Sequence, residues 1–141
     1  MSMRLRADSP NCLRCSNVWL SKLRQSAEIA FFECPACRRQ YAKKRGRELT
    51  YRWLHPVSLV LYALFRCTDD RASQIKYAVR AFNGPKEKAD WMVREIKLEL
   101  ESPTQRVCDI LDSPVSEEQC RLFLGEVLEH LEGRHTSMKG L

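Results

Sequence analysis

Two pairs of cysteines constrain the fold of this chain more than any other feature. Each pair has the spacing Cys-x-x-Cys, and residues 16–33 separate the pairs. The tight turn within each pair aims both sulfurs at one point, so two pairs can supply the four thiolates of a closed tetrahedral zinc site. The spacing therefore predicts one structural Zn²⁺, bound by Cys12, Cys15, Cys34 and Cys37. A disulfide-rich fold or buried free thiols are the alternatives.

The cysteine count, the first residues and the apolar runs of the sequence indicate an intracellular protein. Seven cysteines, an odd number, fit poorly with an exported disulfide framework. The first ten residues carry charge but no apolar segment of the kind found in secretory signals. The longest apolar run, residues 57–65, is about half of what a membrane span needs. We therefore expect a cytoplasmic, reducing location and no membrane partner.

Charge is distributed unevenly along the chain. Residues 1–54 hold twelve Lys and Arg against four acids, a net charge of +8. Residues 55–141 hold twelve Lys and Arg against fourteen acids, a net charge of −2. This asymmetry indicates two parts with different partners.

The segment around the cysteines predicts short strands. Asn17, just after the first pair, is expected to adopt the left-handed backbone that such turns require. Residues 18–20 have the β-branched and aromatic character of a first strand, and residues 21–26 are polar enough to be a connection. Residues 27–33 form the expected second strand, and Tyr41 is expected on a short third strand.

With these residues identified, the segment from residue 12 to about 45 resembles a zinc ribbon. Phe32-Glu-Cys-Pro-Ala-Cys37, followed by Tyr41, is similar to the second knuckle of that family. The resemblance implies a three-stranded antiparallel fold with the four cysteines as metal ligands. Many ribbons have glycine directly after each Cys-x-x-Cys, whereas this chain has Ser16 and Arg38. The resemblance covers about a quarter of the chain, and the remainder resembles no family.

Residues 38–47 are the most basic stretch, with six cations in ten residues. Arg and Lys bind phosphate oxygens, and an aromatic side chain can stack on an exposed base. A nucleic-acid contact is therefore one hypothesis, and its residues are Arg38, Arg39, Tyr41, Lys43, Lys44, Arg45 and Arg47. The alternatives are a solvated charged loop with Tyr41 packed over the metal, or a docking site for an acidic protein.

The remaining sequence predicts helices. A bridging segment, residues 49–55, contains Tyr51, Trp53 and Leu54, which suggests that the ribbon is tied against the helical region that follows. Pro56 can open an apolar central helix, and capping boxes at residues 102–105 and 116–119 start two later ones. Asp69 or Asp70 can cap a further helix, and Gly133 is expected to end the last.

These elements define the predicted architecture. The fold class is α+β, with an N-terminal three-stranded zinc ribbon packed on an all-α bundle of about five helices. The predicted domains are a basic arm and ribbon over residues 1–48, the bridge over 49–55, a helical domain over 56–133 and a flexible tail over 134–141.

No pattern in the sequence predicts catalysis or a small-molecule substrate. The chain lacks a glycine-rich phosphate loop, a nucleophile elbow and a His-Glu-x-x-His motif. His55 is far in sequence from the other two histidines, His130 and His135, and a four-thiolate zinc has no open position for water. The other three cysteines, Cys67, Cys108 and Cys120, are expected to be buried apolar residues.

Two functions remain as hypotheses. The first is a non-catalytic zinc-ribbon protein that binds DNA or RNA through its basic ribbon and docks a protein partner through its helical domain. The second is a protein-interaction adaptor or assembly subunit without nucleic-acid contact.

Overall fold

The computed structural model describes residues 10–66, 70–111 and 114–139. The chain divides into two units between His55 and Pro56. We call residues up to His55 the N-terminal unit and residues from Pro56 onward the helical unit. The predicted domain boundaries at residues 48, 55 and 133 stay predictions.

The N-terminal unit contains an antiparallel sheet. In its described part, the sheet has four strands, and their order across the sheet is the same as their order in the sequence. They are β1 (Ser21–Gln25), β2 (Ile29–Glu33), β3 (Gln40–Lys44) and β4 (Leu49–Tyr51).

Strand register decides which side chains share a face of this sheet. Phe32 lies opposite Tyr41, and Tyr41 lies opposite Tyr51. All three side chains are buried. Because side chains alternate along a strand, these three define one face, which we call the inner face, and their neighbours lie on the outer face.

The prediction of three strands is wrong, because the sheet has four within residues 21–51. Residues 21–25, predicted as a connection, form β1, while Trp19 makes only an isolated bridge with Asn11. β1 is an edge strand with all five residues exposed, so its sequence lacks an apolar pattern. The fourth strand occupies the predicted bridge, where Leu49 and Tyr51 are buried on either side of Thr50.

The helical unit has four α-helices among its described residues. They are α1 (Pro56–Arg66), α2 (Arg71–Val79), α3 (Lys86–Glu101) and α4 (Glu117–Lys139). Helix α1 contacts each of the other three, as expected of a central helix. The N-cap of α2 is Asp70, whose carboxylate accepts a hydrogen bond of 2.8 Å from the amide of Ser73. The core includes Leu61, Met92, Ile96, Phe123, Leu124 and Val127, each fully buried.

The prediction of about five helices is also wrong. Among its described residues, the segment expected to form the fifth contains a three-residue 3₁₀ turn, Val107–Asp109, and no α-helix. A buried carboxylate holds this segment in an irregular conformation. Glu99 accepts bonds of 2.9 and 2.7 Å from the amide and hydroxyl of Thr104. Arg121 also donates to the carbonyl of Gln105 at 2.8 Å and lies 3.3 Å from Glu99.

Helix α4 does not end at Gly133, as the sequence predicted, but continues to Lys139. A glycine ends a helix by adopting the left-handed conformation. The glycines with positive φ among the described residues are Gly46 and Gly84, so Gly133 does not have this geometry.

No helix in the described ranges is long and apolar enough to cross a membrane.

Candidate metal centre

The four predicted ligands converge on one point. All four sulfurs lie within 4.8 Å of one another. The Sγ atoms of Cys12 and Cys37 are 3.7 Å apart, and those of Cys15 and Cys34 are 3.8 Å apart. A tetrahedron with metal–sulfur bonds of about 2.3 Å has sulfur–sulfur edges of about 3.8 Å, whereas a disulfide requires about 2.05 Å. The group has the geometry of a metal site, and all four cysteines are free thiols.

The two cysteine pairs are held by equivalent backbone hydrogen bonds. The amide of Cys15 donates to Sγ of Cys12 at 3.5 Å, and the amide of Cys37 donates to Sγ of Cys34 at 3.5 Å. The next amide in each case, that of Ser16 or Arg38, donates to the carbonyl of the first cysteine at 3.0 or 2.9 Å. Each pair therefore directs amide dipoles at a sulfur, which favours the thiolate form needed for metal binding.

The residue after each pair adopts the left-handed conformation. Ser16 has φ of 63° and Arg38 has φ of 67°, and these are the non-glycine residues with positive φ in the described part of the chain. The prediction that Asn17 takes this conformation is wrong. This residue donates the closing hydrogen bond of each pair, and its positive φ then reverses the direction of the chain that follows. The chain therefore forms both turns without the glycine that many ribbons place there.

Tyr41 connects the cysteines to the sheet. Its side chain is fully buried, and its hydroxyl lies 3.3 Å from Sγ of Cys12. Tyr51 stacks on Tyr41 with ring centroids 5.6 Å apart, and His55 stacks on Tyr51 at 3.7 Å. Arg14 donates from Nε to the hydroxyl of Tyr51 at 3.4 Å. Sequence reasoning missed Arg14, Tyr51 and His55 as neighbours of the site, because strand pairing across the sheet brings them together.

The thiols differ in acidity. Burial opposes ionisation of Cys12, but hydrogen bonds from Tyr41 and the local backbone lower its pKa to about 7. Burial, together with the neighbouring sulfurs, raises the pKa of Cys15 to about 12. Burial likewise raises the pKa of Cys37 and that of the Tyr41 hydroxyl. Of Cys12, Cys15 and Cys37, Cys12 is therefore the thiol that loses its proton most readily.

The donor set fits a structural metal ion. Four sulfurs within 4.8 Å of one another could supply all four ligands of a tetrahedral ion, and an ion bound in this way has no position for water or substrate. A metal held this way stabilises the turns that carry its ligands.

The basic residues predicted to bind nucleic acid lie in three places. Arg38 is exposed at the second cysteine turn, Lys43 and Lys44 lie on β3, and Arg45 and Arg47 are exposed in the turn that follows. Arg39 is partly buried. The fully buried ring of Tyr41 cannot stack on a base, so Tyr41 matches the alternative in which it packs over the metal site.

Two of the remaining cysteines lie in the helical unit. Cys108 and Cys120 are buried, and burial raises the pKa of both thiols, that of Cys120 to about 12. They stay protonated at neutral pH and behave as small apolar side chains. Cys67 lies outside the described residues.

No protein-family model, curated protein or solved structure matches this chain.

Proposed function

We propose that the cysteine centre binds one structural Zn²⁺ and that the N-terminal unit is a variant of the zinc ribbon. The observation that supports zinc is the cluster of four sulfurs within 4.8 Å, in which two sulfur–sulfur distances are 3.7 and 3.8 Å. A closed, redox-inert site of four thiolates suits zinc better than harder cations. The paired cysteine turns, with two antiparallel strands between them and two after them, support the ribbon assignment.

Metal analysis of the purified protein tests the zinc assignment. One zinc per chain is expected in the parent. Cys34→Ser removes a buried ligand and is expected to lose the metal and the protection of β2 and β3 against amide exchange. Cys108→Ser is the matched control, because this buried cysteine lies outside the centre. Full zinc occupancy in Cys34→Ser contradicts the assignment.

We further propose that the N-terminal unit binds nucleic acid. The supporting observation is a set of exposed cations on and beside one hairpin, namely Arg38, Lys43, Arg45 and Arg47. This unit carries few carboxylates to oppose them, since residues 10–55 include only Glu28, Glu33 and Glu48. Contacts between such cations and phosphates release counterions, which makes binding strongly salt-dependent.

The replacement of Lys43, Lys44 and Arg45 together by alanine tests this function. Polynucleotide affinity of the parent should fall steeply as salt rises, and the triple variant should lose about 0.7–0.9 in the logarithmic salt slope per lost phosphate contact. Zinc content and helical circular dichroism serve as controls for folding. If the parent binds neither DNA nor RNA at low salt, the nucleic-acid function is wrong.

A protein-docking role for the helical unit is the second candidate. One large apolar side chain on each helix is between 41% and 51% exposed: Tyr62, Tyr77, Trp91 and Leu122. Large aromatic side chains of this kind anchor protein interfaces. Affinity purification of the native complex tests this role, with Trp91→Ser and Leu122→Ser as variants expected to lose the partner.

A further inference from the structure

A groove crosses the inner face of the sheet near the N-terminal end of β2, which is the end farther from Cys34. It is a cavity of about 380 Å³ spanning β1, β2 and β3. Ala30 and Phe32 form its floor, and Phe32 is only 2% exposed. The β1–β2 turn closes one end.

The groove exists because a small residue lies among long ones. Ala30 is opposite Gln25 on β1 and opposite Lys43 on β3. Lys22, opposite Phe32, shares this face because Ala30 and Phe32 are two residues apart on the same strand. The methyl group of Ala30 therefore leaves a depression between side chains that rise from both neighbouring strands.

The lining is strongly cationic. It includes Lys22, Lys43, Lys44 and Arg45 against one acid, Glu28. Within the described part of the chain, no salt bridge engages Lys22, Lys43 or Arg45. Cations that converge on one concave site without carboxylate partners favour a polyanionic ligand.

The shape of the groove discriminates between single and double strands. Its volume is at the lower end of the range for ligand sites, about 300–1,000 Å³, which suits a unit the size of one nucleotide. Duplex DNA is read by an element that projects into its groove, whereas single strands lie in cationic grooves of the protein.

We propose that this groove binds a single-stranded polynucleotide, with phosphates against Lys22, Lys43 and Arg45 and a sugar or base against Ala30. The inference rests on the nucleic-acid function proposed above and adds to it a strand type, a location and a contact residue, Lys22, on a different strand from the basic stretch.

Filling the groove without changing its charge is the sharpest test. Ala30→Leu should weaken binding of labelled oligothymidylate and oligouridylate about tenfold, because the added carbons displace the nucleotide from the floor. Binding of a duplex of the same length should change far less. Thr50→Leu is the matched control, since Thr50 lies on the outer face and should leave all affinities unchanged.

Removal of one charge is the second test. Lys22→Gln should reduce the logarithmic salt slope for single strands by about 0.7, the value for one lost phosphate contact. Lys76→Gln, an exposed lysine on α2, is the control that changes net charge equally and should leave the slope unchanged.

The outcomes separate this inference from the function on which it rests. Loss of single-strand affinity in Ala30→Leu and Lys22→Gln, with normal zinc content, supports the groove. If the parent binds polynucleotide and both variants bind with the same affinity, the groove proposal is wrong and the nucleic-acid function stands. The groove proposal is also wrong if the parent prefers duplex and Ala30→Leu weakens binding of neither single strands nor duplex. A parent that binds neither form overturns both.

Discussion

The hydroxyl of Tyr41 brings a side chain of the sheet into direct contact with a cysteine sulfur. It lies 3.3 Å from Sγ of Cys12 in a fully buried position. A hydrogen bond to a thiolate lowers the pKa of that thiol and fixes the orientation of the sulfur. The hydroxyl is therefore expected to support metal binding without touching the metal.

Tyr41→Phe tests this role. The ring and its stacking on Tyr51 remain, but the hydrogen bond is lost, so zinc affinity at neutral pH should fall about ten- to a hundredfold. Competition with a chromogenic chelator measures the affinity. Tyr62→Phe is the control, because Tyr62 lies on α1 and is 43% exposed. Equal affinities in the parent and Tyr41→Phe would show that the hydroxyl has no such role.

Ser16 illustrates strain at a single residue. A left-handed conformation costs a non-glycine residue about 1–2 kcal/mol. Glycine avoids this cost, but its more flexible unfolded state lowers the stability of the fold by about 0.5–1 kcal/mol. Ser16→Gly should therefore raise the free energy of unfolding of the metal-bound protein by about 0.5–1 kcal/mol, measured by urea denaturation. Asn17→Gly, at a neighbour without positive φ, should lower it. A lower stability in Ser16→Gly would contradict the strain argument.

At the scale of elements, Glu117 joins the first turn of α4 to the 3₁₀ turn. Its carboxylate accepts a hydrogen bond of 3.0 Å from the amide of Cys108 and pairs with Arg121 at 2.7 Å. Burial opposes ionisation, but the hydrogen bonds and Arg121 outweigh it and lower the pKa of Glu117. A carboxyl group with a depressed folded-state pKa stabilises the fold above its unfolded pKa of about 4.3.

This contribution should disappear in acid. As pH falls from about 5 through the folded-state pKa, the free energy of unfolding of the parent should decrease, because the Glu117 carboxylate becomes protonated. Glu117→Gln lacks this carboxylate at every pH. The difference in free energy of unfolding between the two proteins should therefore shrink. Urea denaturation at a series of pH values measures this difference. Glu118→Gln is the control, since Glu118 is exposed one residue away. A difference that does not vary with pH would contradict the assigned role of the charge.

The helices, strands and metal centre differ in how well the sequence predicts them. The cluster of four cysteines was predictable, because metal chemistry restricts ligands to a few residue types at fixed spacings. Strand β1 was not, since an edge strand with every side chain exposed has no apolar alternation. The irregular segment before α4 was not predictable either. Its conformation depends on Glu99 and Arg121, which are distant in sequence from each other.

At the scale of the whole molecule, the residues around the boundary at His55 differ in exposure. Trp53 is 56% exposed and Leu54 is 50% exposed. The prediction that these residues tie the ribbon to the helical region stays a prediction. Tyr51 is buried between two rings, those of Tyr41 and His55. Of Tyr51, Trp53 and Leu54, Tyr51 alone is part of a core.

Two alanine substitutions separate these roles. Tyr51→Ala removes a buried aromatic and should lower the free energy of unfolding by about 3–5 kcal/mol. Trp53→Ala removes a half-exposed side chain and should cost about 1 kcal/mol or less. Thermal denaturation of both variants with zinc present measures the contrast. A loss in Trp53→Ala as large as that in Tyr51→Ala would show that the exposed position of Trp53 is incorrect.

The irregularity in β1 has a consequence for chain length. Lys22 lies opposite Phe32 and Arg24 lies opposite Phe31, so Leu23 is an additional residue that bulges from the strand. Loss of Leu23 would leave Lys22 on the groove face and Arg24 over the ring of Phe31, where its guanidinium now lies 4.9 Å from the centroid. Loss of a residue within β2 would instead exchange the two faces of the sheet from that point onward. The bulge is therefore a position at which this sheet can tolerate a deletion without changing which side chains face the groove.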